Sequence, residues 1–130
     1  MIDLEKRNAL IEYRIQQSEE TLKDAEILIN SQRYRSAVNR IYYSVFYMLL
    51  ALGLKYEFET SKHLQLIGWF NKNFIHTNLI PVEFGKFVKR IFECRTSSDY
   101  DDFVNFEEDE VLLLFNNSKL FIETLQNFMK

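Results

Sequence analysis

The stretch that most constrains the fold runs from Arg33 to Leu54, RYRSAVNRIYYSVFYMLLALGL. Wound at about 100° per residue, it sets Tyr34, Val38, Ile41, Tyr42, Val45, Met48, Leu49 and Leu52 on one broad face. Ala37, Ser44 and Ala51 recur every seventh position and form a stripe of small side chains that a second helix can cross closely. Tyr43, Phe46 and Leu50 cover most of the remaining circumference, and a helix apolar nearly all round is buried rather than laid on a surface. The stretch has about the length of a membrane span, but Arg33, Arg35, Asn39 and Arg40 interrupt it before about twenty apolar residues accumulate. It therefore reads as the central helix of a bundle, with no membrane as partner.

The rest of the chain agrees with that reading. With 3 Gly and a single Pro in 130 residues, it lacks the punctuation that a many-stranded sheet needs for its turns. The expected architecture is all-α, a single-domain antiparallel up-and-down bundle of about five helices spanning residues 1–130. The first helix is expected from Asp3, an N-cap, to Ile29, with Leu4, Ile11, Ile15, Ser18, Leu22, Ala25 and Ile29 facing inward. Asn30-Ser31 serves as its stop, Asn tolerating the left-handed conformation. The second helix spans Tyr34 to Leu52 and ends at Gly53, and KYEFET (55–60) forms a loop. Thr60 or Ser61 caps a third helix whose inner face is Leu64, Ile67, Phe70 or Asn71, and Phe74. Pro81 sits in the first turn of a fourth, with Phe84, Phe87, Val88 and Ile91 buried and an end near Cys94. Arg95 to Phe106 reads as a polar, acidic loop, and Glu107 to Glu110 open the last helix, whose dipole favours negative charge there. Its inner stripe is Val111, Leu114, Phe115, Ser118, Phe121, Ile122, Leu125 and Phe128.

Charge and cysteine usage narrow the function classes. The net charge of −3 is uneven: Arg95 to Glu110 holds seven acids against one base, which leaves a net of +3 on the remainder. That balance permits a modest anionic partner but is far from the basic surplus of a dedicated nucleic-acid binder. A lone Cys94 suits a reducing compartment, and no leader or membrane segment is evident, so the expected localisation is cytoplasmic. His63 and His76 lie thirteen apart, with no HExxH or CxxC spacing. Gly53, Gly68 and Gly85 are isolated, so no phosphate-cradling loop exists. Neither a metal nor a cofactor is called for.

What remains is RTSSDYDDF, 95–103, expected at the mouth of the bundle between two helices. There Arg95 can bind a phosphate while Asp99 and Tyr100 orient it. The structural alternative has Arg95 pairing with Asp99 or capping helix carbonyls, with Tyr100 packed beneath the loop. Arg40, with Arg33 one heptad before it and Tyr47 one heptad after, reads as an auxiliary ligand contact or as the ion-pair partner of an acid such as Asp99. Lys62 and His63 open the third helix, whose N-terminus favours an anion; His63 serves equally well as a cap or a packed ring. Lys86, Lys89 and Arg90 form a wet helix face or the flank of an RNA groove.

Three segments in this order, NRIYYSVFYMLLALG, SKHLQLIGWFNKNFI and RTSSDYDD, resemble the HEPN superfamily, in particular its small stand-alone prokaryotic branch. The resemblance covers nearly the whole chain. It implies a helical bundle, usually a homodimer, akin to the substrate-binding helical domain of some nucleotidyltransferases. Many members act as metal-independent endoribonucleases, often as a toxin paired with a minimal nucleotidyltransferase antitoxin. The family's signature is an Arg followed after four to six residues by His, two such motifs meeting across a dimer cleft. Arg95 matches the Arg, and the next residue is Thr96. The three permitted His positions carry Tyr100, Asp101 and Asp102. Without the imidazole the obvious group exchanging a proton near neutral pH is missing, and Tyr, near pKa 10, is a poor base. The resemblance thus implies binding of RNA or nucleotide around Arg95 and leaves catalysis open. Two alternatives stand beside it: a non-catalytic protein-interaction module, and a substrate-binding subunit for a separate nucleotidyltransferase.

Overall fold

A computed structural model describes residues 3–130. Five α-helices follow one another: α1 (Leu4–Asn30), α2 (Tyr34–Lys55), α3 (His63–Phe70), α4 (Val82–Tyr100) and α5 (Glu108–Met129). Among the described residues there is no strand, and the fold is the expected all-α bundle. α2 packs against each of the other four helices, its longest seam being with α1. Its broad face is buried as the periodicity requires, and α2 is long and apolar enough to cross a membrane, yet 72% of its apolar window is covered by the bundle.

The small-residue stripe determines how α1 lies on α2. Ser18 and Ser44 are both fully buried, and the Ser18 hydroxyl donates to the Ser44 carbonyl at 2.6 Å. The Ser44 hydroxyl turns back to the Ile41 carbonyl at 2.7 Å. Two buried hydroxyls are thereby satisfied at a backbone approach that a larger side chain would prevent. Leu4, expected on the inner stripe of α1, is instead 65% exposed.

Both ends of the α1–α2 hairpin close by the same device, on residues the sequence does not mark. At the end of α1 the left-handed residue is Gln32 (φ 59°), not Asn30. Gln32 N–H donates to Ile29 and Arg33 N–H to Leu28, the paired bonds of a Schellman cap. α2 likewise runs past Gly53 to Lys55, with Glu57 left-handed (φ 61°), Glu57 N–H on Leu54 and Phe58 N–H on Gly53. Gly53 is therefore not a stop. It is the place where the returning chain passes, since a Cβ there would sit 2.7 Å from the Phe58 carbonyl oxygen.

α3 starts at His63, with Lys62 before it, and Thr60 Oγ1 accepts from the Lys62 N–H at 3.1 Å. Its inner face is Leu66, Ile67 and Phe70, whereas Leu64 is 69% exposed. The chain then widens into a π-helical turn, Asn71–Ile75, whose His76 N–H reaches back to Asn71. That extra residue rotates both Phe74 and Ile75 inward.

The largest departure lies at the end of α4. Residues 95–100, expected as loop, are its last turns. The Arg35 guanidinium, projecting from the start of α2, donates to the carbonyls of Ser98 and Asp101. It thus meets carbonyls at a helix C-terminus, where a cation is favoured. α5 begins at Glu108 with three acids in its first turn, and Val111, Leu114, Phe115, Ser118, Phe121, Ile122 and Leu125 are buried as expected.

Candidate functional site

Helical geometry sorts the residues of RTSSDY. Arg95 and Asp99, four apart, share a face, and Arg95 Nε lies 2.9 Å from Asp99 Oδ2. Close as they are, the N–H is not aligned for a hydrogen bond, and the Nε is buried without one. Tyr100 falls well round the helix and is 81% exposed, so it neither packs beneath a loop nor joins Arg95. This separates the expected trio: Arg95 and Asp99 stay together, and Tyr100 leaves.

The surface that Arg95 faces belongs to α2. Arg95 Nη2 donates to the Tyr43 hydroxyl at 3.0 Å, and its guanidinium carbon lies 5.2 Å from the ring centre of Tyr42 and 5.5 Å from that of Tyr43. Arg40 lies 5.3 Å from the same Tyr43 ring, held by the Asn39 side-chain oxygen rather than by Asp99. Tyr43 thus stands beside two guanidiniums brought from different helices. Cation–π attraction of this kind contributes about 0.5–2 kcal/mol per contact, the more the drier the site.

His63 joins from α3. Its ring stacks on Phe46 at 4.0 Å and lies 5.6 Å from Tyr42. Its Nδ1 meets the Tyr42 hydroxyl at 2.5 Å. Burial raises the Tyr42 phenol far above its ordinary range, outweighing the opposing pull of Arg95, so it keeps its proton. With that hydroxyl assigned as donor to Nδ1, the neutral imidazole carries its own hydrogen on Nε2. Burial, then the Arg95 charge, lowers the His63 pKa below the usual imidazole value and holds the ring neutral. Lys62 stands next to it on the exposed surface.

Arg95, Arg40 and His63 therefore converge on one aromatic wall, Tyr42, Tyr43 and Phe46, with Asp99 as the acid beside them. The wall itself escaped the sequence reading, because three adjacent aromatics on a central helix look like core. The signal that could have found it is the tyrosine pair: two hydroxyls in an otherwise aliphatic stripe need partners when buried. Such a wall with two guanidiniums suits a phosphate or another oxyanion, whose oxygens the planar guanidinium fork matches. Among the described residues, no group of three or more His, Cys, Asp or Glu is placed to hold a metal ion. Cys94 is half-buried, and burial raises its thiol pKa, which suits a packed side chain.

Comparison with known proteins covers nearly the whole chain. The family model described as HEPN domain matches residues 11–128. A Thermotoga maritima protein named "UPF0332 protein" is 35% identical over 98% of this chain and 96% of its own length. A Methanocaldococcus jannaschii protein named "Putative toxin MJ0142" is 33% identical over 92% of this chain and 81% of its own. A second from the same organism, "Putative toxin MJ0605", is 28% identical over 92% and 89% respectively.

Proposed function

This chain belongs to the HEPN domain family, and on that footing we propose that it is a toxin-type member that binds an RNA or nucleotide phosphate at Arg95. The observation that carries this reading is the pair of guanidiniums beside Tyr43, Arg95 at 5.5 Å and Arg40 at 5.3 Å from its ring centre. Asp99 holds Arg95 in place until an anion arrives, and the His63 Nε2–H adds a donor without adding charge. Lys62 contributes at longer range. The names of the Methanocaldococcus relatives support the toxin role. In the working complex the chain is a symmetric homodimer, and a minimal nucleotidyltransferase-type antitoxin is its partner.

The geometry favours binding over cleavage. The permitted His positions carry Tyr100, Asp101 and Asp102, and the nearby imidazole has Nδ1 engaged by Tyr42 and, with Tyr42 as donor, a hydrogen on Nε2, so it offers no free base to the Arg95 wall. The test is fluorescence anisotropy on a labelled RNA pool in excess chelator. Arg95→Ala should weaken binding about tenfold, the order expected for a lost charge-assisted contact, while circular dichroism stays unchanged and the RNA is recovered intact. Equal binding by wild type and Arg95→Ala would sink the proposal. Cutting that vanishes with Arg95→Ala would overturn its non-cleaving form.

One observation favours a second reading, a non-catalytic protein-interaction module. Arg95 already has Asp99 and the Tyr43 hydroxyl as partners. Under that reading Arg95→Ala lowers thermal stability and leaves RNA affinity untouched.

A further inference from the structure

The Tyr43 ring that receives both guanidiniums has a second neighbour. Tyr47, one turn along α2, lies 5.9 Å from it, ring centre to ring centre, and opens onto a groove of about 520 Å³ between α1, α2 and residues 58–61. Phe46 ties the two regions together, with its ring 4.0 Å from His63 on one side and 6.3 Å from Tyr47 on the other. Across the groove Phe58 is held flat by Trp69, their rings 4.8 Å apart and 2° from parallel. Arg14 lines the α1 side, its guanidinium steadied by Gln17 at 2.8 Å, and Glu59 and Ser61 stand at the mouth.

We infer that this groove takes one unpaired nucleobase of the RNA whose phosphate sits at Arg95, so that the chain selects single-stranded over duplex RNA. The inference rests on the phosphate-binding reading above. Two features commit the groove to a base. Its lining brings the rings of Phe46, Tyr47 and Phe58 together beside Leu10, Leu50 and Leu54, an apolar, ring-rich surface of the kind on which any base can stack. Its charges also suit a nucleotide: Arg40 and Arg95 stand at the phosphate end, and in the groove the Arg14 guanidinium on the α1 side and the Glu59 carboxylate at the mouth offer a donor and an acceptor to the edge of a base, Glu59 accepting from an exocyclic amino group. A paired base, stacked between its neighbours in a duplex, does not present its face. The volume lies within the range of small-ligand clefts, about 300–1,000 Å³.

The experiment measures anisotropy of the full chain with one labelled RNA in three forms: single-stranded, annealed to its complement, and single-stranded with abasic positions. Wild type should prefer the first form. Tyr47→Ala should lower that affinity about tenfold, the order of one lost base stack, and leave the duplex and abasic forms unaffected, and Tyr47→Phe, which keeps the ring face, should recover it. Ser61→Trp fills the mouth from an exposed position, should give the same loss, and guards against misfolding of Tyr47→Ala. If Arg95→Ala weakens binding about tenfold while Tyr47→Ala and Ser61→Trp do not weaken it, the groove inference falls and the phosphate reading stands. If wild type binds no RNA, both fall. If Tyr47→Ala shifts the sedimentation coefficient from dimer to monomer at unchanged RNA affinity, the groove belongs to a second copy of the chain and the inference is overturned.

Discussion

His63 is the residue in this site whose surroundings shift a titration that ordinarily lies near neutral pH. It sits between Phe46 and Tyr42 as a neutral ring, its pKa lowered first by burial and then by Arg95. In the unfolded chain it titrates near the ordinary value of about 6.5. As pH falls through that value the unfolded state takes up a proton that the folded state resists, so stability declines toward acid pH and is fully present above it. The expected outcome is that His63→Gln shows a smaller drop in thermal midpoint than wild type between about pH 7.5 and about pH 5. Parallel curves for the two proteins would show that His63 keeps its ordinary pKa in the fold. Arg35 illustrates the opposite case, an exposed side chain whose value is geometric. Its fork meets the carbonyls at the end of α4 and thereby keeps Arg95 and Asp99 on a helix.

Among the elements, the hairpin of α1 and α2 depends most on close approach. The chain leaving α2 makes a close approach of its own over Gly53, and Gly53 and Gly68 provide a matched pair for testing it. A Cβ at Gly53 would lie 2.7 Å from the Phe58 carbonyl oxygen, a backbone atom that cannot swing aside, whereas at Gly68, exposed on α3, nothing lies within 4 Å. Gly53→Ala should therefore cost about 1–3 kcal/mol through overpacking, and Gly68→Ala should gain up to about 1 kcal/mol through helix propensity. Urea denaturation of both variants checks the signs, and stabilisation by Gly53→Ala would contradict the chain path over that residue. The π-helical turn has a related constraint at Gly85, where a Cβ would lie 3.1 Å from Ile75.

The whole molecule is held by one core in which aromatic rings bridge elements. Phe121 of α5 is fully buried and has Phe70, Phe84 and Phe87 each at 6.0 Å, joining α3, α4 and α5 at one point. Truncating it removes ring contacts on three sides and leaves a void that surrounding helices fill only partly. Phe121→Ala should cost about 3–5 kcal/mol, in a single transition seen alike by helical and aromatic circular dichroism. A loss below about 1 kcal/mol would mean that α3, α4 and α5 do not share that core. The Arg95 wall sits at the edge of this core, so its rigidity comes from α2 rather than from a loop.

Periodicity was enough to place α2 at the centre, to bury Val111 through Leu125 on α5 and to mark Ala37, Ser44 and Ala51 as a crossing point, because burial of apolar faces is written at fixed spacing along a chain. The three segments that carry the family resemblance are likewise contiguous, and the HEPN domain match over residues 11–128 agrees with them. The helix ends were not readable in this way. Gln32 and Glu57 take the left-handed positions although neither favours them, since the bonds each cap closes outweigh a small local preference. The last turns of α4 read as loop from their acidic composition, and it is Arg35, over sixty residues earlier, that satisfies their carbonyls. The candidate site was half legible for the same reason. Arg95 and Asp99 are near in sequence, but their meeting with Tyr43, Arg40 and His63 depends on three helices packing in one arrangement, and no spacing along the chain encodes a distance between helices.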